Sequence, residues 1–261
     1  MSFDLWIRKI LTKIFLFYFL LFYLFFYSFI FFIFFFFFKK FLPVVIMNME
    51  IKKISRYVIY LFSLFLISLG AAISIKANLG TSPIICLPYV SSLILKMSVG
   101  TVCLIFNVIF ILVQIILLRG GFEKRQYLQI IVGTIFSLSI DFSLMLVNFL
   151  NPTNYISQFG LLLLSCIVVA FGVLLEVQTE VVYLPPDGII VAISKVLKKE
   201  FPKVKPFFDT SLVLTAALLS VVFLGYLAGV REGTIISALI IGPIVKVLQK
   251  YFDSYVEALI S

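Results

Sequence analysis

The chain has 261 residues, 63% of them hydrophobic and 13% charged, with a formal net charge of +9 and no histidine. Soluble domains carry roughly a quarter charged residues, so this composition describes a protein that crosses a membrane several times. The missing histidine removes Ser-His and Cys-His nucleophilic pairs and His-bound metal, and Cys86, Cys103 and Cys166 lack any CxxC spacing. No catalytic residue, metal or cofactor is expected, and no GxxxxGK[ST] phosphate loop is present to make the chain an ATP-driven pump by itself. The Lys and Arg residues lie in short clusters between apolar runs, which is topology information and an attraction to membrane lipid rather than to nucleic acid.

Residues 1–46 hold a phenylalanine-dominated run from Ile14 to Phe38, flanked by Arg8, Lys9 and Lys13 and by Lys39 and Lys40. They read as a start placed upstream of the natural one at Met47 or Met49, or as an extra anchor. Two membrane repeats are expected to follow, over 47–150 and 151–261. Apolar length predicts spans over 57–77, 101–118, 127–149, 158–179, 208–228 and 234–250, with short pieces at 84–97 and 188–199. At 1.5 Å per residue each short piece reaches only about 20 Å, against a hydrocarbon core of roughly 30 Å.

Charge decides how the short pieces sit. If they dip in and return, Lys52, Lys53, Arg56, Arg119, Lys124, Arg125, the lysines from Lys195 to Lys205, Lys246 and Lys250 share one side. The positive-inside rule makes that side cytoplasmic, with both ends of the core there. The predicted fold is an all-α polytopic membrane bundle of about six spans plus two re-entrant half-helices, arranged as an inverted repeat.

The half-helices start at two breaks. In Asn78-Leu79-Gly80-Thr81-Ser82-Pro83, Ser82 is placed as N-cap and Pro83 at the first helical position. In Leu184-Pro185-Pro186-Asp187-Gly188, Asp187 takes the N-cap place. Gly70 and Gly172, Pro83 and Pro186, and Gly133-Thr134-Ile135 and Gly233-Thr234-Ile235 recur at offsets of 100 to 103 residues. Three crossings per half invert the second half, so the breaks are expected to meet near the midplane.

The candidate substrate-binding residues are therefore Lys76, Asn78, Gly80, Thr81, Ser82, Pro83, Pro186, Asp187 and Gly188. A helix start favours anions, Thr81 and Ser82 add hydroxyls, and Lys76 adds a charge, so the pair of sites suits the two ends of a zwitterion. The plainer reading has Ser82 and Asp187 capping their helices while Lys76 snorkels. Asp141 lies within a span, and Glu176 and Glu180 are four apart on one helix face; these three are candidates for proton coupling or a polar core, although a small shift in depth puts the glutamates among headgroups. Asn107, Asn148 and Asp209 read as hydrogen bonds between helices.

The run from Gly70 through Leu79-Gly80-Thr81-Ser82-Pro83, then Gly133-Thr134, Asp141 and Pro186, then Gly233-Thr234-Ile235 and Ile241-Gly242-Pro243, resembles the YczE-type bacterial membrane proteins of the YczE, YyaS and YitT group. The resemblance covers about residues 52–250 and departs at Pro185-Pro186-Asp187, where members carry Gly near the second break. It implies an integral protein of the bacterial cytoplasmic membrane and brings no established activity. The leading expectation is a transporter or channel for a small polar or charged solute. The alternatives are a non-transport protein that modulates a partner enzyme or signalling protein through basic cytoplasmic loops, and the substrate-binding subunit of a vitamin importer. A homo-oligomer is compatible with each.

Overall fold

A computed structural model describes residues 51–260, with side chains for 56–251; the phenylalanine-rich stretch 1–46 lies outside the described residues. Those residues form eight α-helices and no strand. They are α1 (Ile51–Ala77), α2 (Pro83–Leu95), α3 (Val99–Leu118), α4 (Leu128–Leu146), α5 (Tyr155–Thr179), α6 (Pro185–Leu197), α7 (Phe201–Leu224) and α8 (Glu232–Ile260). Six are long and apolar enough to cross a membrane. The other two, α2 and α6, have 13 residues each, about 20 Å of helix.

Hydrogen bonds and ion pairs fix two ends of the bundle. At one end, the Lys76 end, the ammonium of Lys76 donates to Asn148 beyond α4, and Ser98 at the start of α3 donates to Asp141 near the end of α4. At the other, the Arg125 end, Arg125 donates to the Glu180 carbonyl beyond α5, and Lys195 near the end of α6 pairs with Glu123. Because α1 ends and α3 begins at the Lys76 end, the chain carrying α2 leaves and returns to the same end. Likewise α5 ends and α7 begins at the Arg125 end. Residues 181–184 run inward, and α6 starts with Pro185 against Gly133, inside α4, before running back to Lys195. Both short helices are therefore re-entrant.

The inversion is visible where α1 crosses α5. A Cβ on Gly70 would lie 2.5 Å from Val169 Cγ2 and 3.0 Å from the Ser165 carbonyl; one on Gly172 would lie 2.7 Å from Ile67 Cγ1 and 3.1 Å from the Ser63 carbonyl. Moving up α1 from Ser63 to Gly70 is thus moving down α5 from Gly172 to Ser165, so the helices are antiparallel. Ser63 and Ser165, Ile67 and Val169, and Gly70 and Gly172 each differ by 102 positions.

The same offset runs through the breaks. Asn78 and Glu180 both turn left-handed (φ 56° and 49°), Pro83 and Pro185 open the short helices, and Lys96 and Lys198 close them left-handed (φ 55° and 53°). The partner of Pro83 is therefore Pro185, not Pro186. The Gly133 and Gly233 landmarks are not equivalent either: Gly133 lies well inside α4, whereas Gly233 is the second residue of α8.

One expected boundary moves by two turns. The span expected to start at 208 begins at Phe201 instead, ahead of both Pro202 and Pro206. Pro202 sits in the first turn, where its missing N–H has no partner to lose, and Pro206 gives up a single bond one turn later. The helix ends at Gly225 in a left-handed conformation (φ 78°), short of the expected 228.

Candidate functional site

The first break is built mostly from backbone. Asn78 is exposed and turns the chain; Gly80 is buried, with φ 106°, and a Cβ there would sit 2.5 Å from Thr234 Oγ1. Thr81 is buried, and its N–H donates to the Gly229 carbonyl at 3.0 Å. Ser82 does occupy the N-cap, but its hydroxyl makes no capping bond; its carbonyl accepts from the amides of Ile85 and Cys86. Pro83 brings no N–H, so little donor capacity remains at the start of α2.

The second break differs in chemistry. The N-cap is Leu184, and Asp187 is the third residue of α6 rather than its cap. Pro185 and Pro186 have no N–H, and the Gly188 amide bonds the Leu184 carbonyl. The free donors of a helix start are thus largely spent here. In their place stands a charged group: Asp187 Oδ1 lies 2.8 Å from Lys205 Nζ, and Asp209 Oδ2 lies 3.9 Å from the same nitrogen. The Glu176 carboxylate lies beside the Leu184 backbone and shares this neighbourhood. Tyr60 on α1 closes it by donating to the Val182 carbonyl at 2.8 Å. Glu180, four residues on from Glu176, does not join; it is exposed and offers its carbonyl to Arg125.

Two arginines hold the breaks, and they hold them crosswise. Arg231, from the second half, donates to the Asn78 carbonyl at 2.9 Å, and Arg125, from the first half, donates to the Glu180 carbonyl. Asn78 and Glu180 are repeat mates, so each half fastens the other half's break at its own end of the bundle. Main-chain bonds reinforce the first: Gly233 N–H donates to the Leu79 carbonyl at 2.7 Å.

The half-helices share a core rather than a polar site, each packing chiefly on α3 and α7 and hardly on the other. Cys86, Leu87 and Val90 of α2 and Ile189 and Ile190 of α6 belong to one buried apolar cluster with Phe110 and Leu212. The candidate residues accordingly divide in two. Lys76, Asn78, Gly80, Thr81, Ser82, Pro83 and Asp141 lie toward the Lys76 end, while Glu176, Glu180, Pro186, Asp187 and Gly188 lie toward the Arg125 end.

Asp141 is committed. Its Oδ1 accepts the Gly100 amide at 2.7 Å and its Oδ2 the Ser98 hydroxyl at 2.6 Å, so it caps α3 from the neighbouring helix. It heads a buried polar seam along the α3–α4 interface. Asn107 donates to the Gly133 carbonyl and to Ser137; further along, Gln114 donates to Gln129 and to the Pro185 carbonyl, with both glutamines against Gly188. Sequence reasoning missed Gln114 and Gln129, and the pairing of Lys205. The heptad spacing of Asn107 and Gln114, with Gln129, Gly133 and Ser137 every four residues on α4, was the available signal.

Near the first break an open cleft of about 750 Å³ lies at the Lys76 end. Lys76, Asn78, Asn148, Asn151 and the phenol of Tyr89 are its polar lining residues, and Ile75, Val99, Leu144 and Met145 much of the rest. Among the described residues no group of His, Cys, Asp or Glu is arranged to hold a metal ion.

No curated protein and no solved structure matches the chain. A family model does match, over residues 54–250, almost the stretch covered by the YczE-type resemblance, and its description assigns no activity. An inverted membrane repeat with two crossed breaks is thus the architecture of this sequence, which belongs to the family of unknown function DUF6198.

Proposed function

We propose that this protein is a transporter, and not an enzyme, that moves a small polar or charged solute by opening alternately at its two breaks. The supporting observation is the crossed fastening: Arg231 on Asn78 and Arg125 on Glu180 act at opposite ends on repeat-related carbonyls. Inverted repeats with discontinuous helices commonly move one repeat against the other around a central site. With both fastenings made and the apolar core that the half-helices share with α3 and α7 packed, the path is shut; release at one end lets one half-helix swing while the other stays pinned. The basic residues gathered at the Arg125 end support a reading in which that end faces the cytoplasm of a bacterial cell, with both ends of the core on that side.

The test uses cysteine labelling in a background with Cys86, Cys103 and Cys166 replaced by alanine. Single Ser82→Cys and Val182→Cys reporters are labelled by an impermeant thiol reagent in whole cells and inverted vesicles. Adding Arg231→Ala should raise labelling at Ser82→Cys and lower it at Val182→Cys, and Arg125→Ala should do the reverse. Changes confined to the mutated end, or of the same sign at both, would refute alternating opening.

A further inference from the structure

We infer that the cleft at the Lys76 end binds an organic anion, a carboxylate- or phosphate-bearing molecule with an apolar body; as the docking place of a transported solute, this rests on the transport reading. Its volume of about 750 Å³ falls within the range of small-molecule sites. Among the described residues Lys76 is its one cationic side chain, and no carboxylate lines it.

The charge of Lys76 is not cancelled. Its Nζ gives one hydrogen bond, at 2.8 Å, to the neutral amide oxygen of Asn148, which orients the ammonium and leaves two donors. Among the described residues it forms no ion pair. The acids nearby are engaged elsewhere: Asp141 spends both oxygens on the start of α3, and Glu232 pairs with Arg231 at 3.2 Å. Asn78 and Asn151 add neutral hydrogen-bonding amides, and Ile75, Val99, Leu144 and Met145 offer an apolar wall.

A cationic solute would meet an unneutralised lysine and no counter-charge. An anion gains a charge-assisted hydrogen bond, and its body covers the apolar wall. The proline-blocked starts of α2 and α6 cannot supply this recognition, so the class of ligand depends on Lys76. The same chemistry fits a free carboxylate or phosphate compound and the headgroup of an anionic lipid.

The test uses the full chain in phosphatidylcholine nanodiscs, with unfolding followed by a thiol-reactive dye that reports exposure of the buried Cys86, Cys103 and Cys166. Hexanoate should raise the unfolding midpoint and hexylammonium should not. Lys76→Gln should weaken the apparent Kd for hexanoate roughly tenfold, the scale of one charge-assisted contact, and Lys76→Arg should largely keep it. Equal stabilisation by hexylammonium, or unweakened hexanoate binding by Lys76→Gln, overturns the inference. Should Lys76→Gln not fold, Leu144→Trp, at a half-buried wall residue, narrows the cleft with the charge intact and must weaken the hexanoate shift; an unweakened shift also overturns the inference.

Nanodiscs containing phosphatidylglycerol separate the two sources. A Lys76-dependent rise in midpoint that hexanoate no longer increases identifies a lipid headgroup; a further rise with hexanoate identifies a free solute. Either result upholds the anion. Failure of all anion binding while Ser82→Cys and Val182→Cys still label reciprocally removes the ligand class and leaves the transport reading standing.

Discussion

Replacing Gly70 or Gly172 with alanine tests the antiparallel crossing of α1 and α5. The new methyl of Gly70→Ala would sit 2.5 Å from Val169 Cγ2, and that of Gly172→Ala 2.7 Å from Ile67 Cγ1, against an ordinary contact of 3.4–4 Å. Both neighbours are β-branched side chains on a helix, held near one rotamer, and cannot swing aside. The backbone carbonyls of Ser165 and Ser63 stand behind them at 3.0 and 3.1 Å. The helix axes must therefore part, by roughly half an ångström to one ångström, which forfeits about a quarter to a half of the dispersion energy along the seam. Each substitution should cost about 1–3 kcal/mol, as overpacking usually does. Because either methyl opens the same interface, the second should cost less once the first is present. Reversible unfolding in bicelles, read as a double-mutant cycle, should leave the pair short of the sum by about 1 kcal/mol. Single substitutions that are neutral, or a double that is fully additive, would refute the close crossing.

Two further outcomes follow from the polar groups. Lys205→Met leaves Asp187 uncompensated beside Glu176 and should destabilise by about 2–4 kcal/mol, while adding Asp187→Asn should restore most of the loss; the same unfolding assay reads both. Asp141→Ala should cost about 1 kcal/mol through the lost cap on α3, and labelling of the Ser82→Cys and Val182→Cys reporters should stay reciprocal. Asymmetric labelling in that variant would give Asp141 the coupling role that its hydrogen bonds argue against.

Much of this architecture is legible in the sequence because membrane helices are long apolar runs and breaks are marked by Gly and Pro. The spans, the two breaks and the basic clusters needed only length, composition and turn chemistry. What escaped depends on distance or on register. Proline inside the first turns of α7 looks the same as proline in a loop, so Lys205 was read as a cytoplasmic charge, although it lies within helix range of Asp187. Asp187 looks like a cap because it follows two prolines, but Leu184 already ends the extended strand of chain, and prolines are tolerated as the first helical residues. The crossed arginines join residues from different halves, and nothing local announces them. The half-helices were expected to meet at their breaks, but each packs chiefly on α3 and α7, and Cys86, Val90 and Ile190 make the core they share apolar.

The bond from Arg231 to Asn78 has a consequence for biogenesis. Its two residues are 153 positions apart, so at about 5–20 residues per second a ribosome delivers Arg231 roughly 8–30 s after Asn78. Throughout that interval the carbonyls of Asn78 and Leu79 and the amide of Thr81 lack their native partners, in a segment that lipid alone cannot satisfy. The first half must wait in the insertion machinery, or keep its broken segment wet, until the last helix arrives. A chain truncated before Gly229 would enter the membrane with that segment unfastened and become a substrate for membrane proteases.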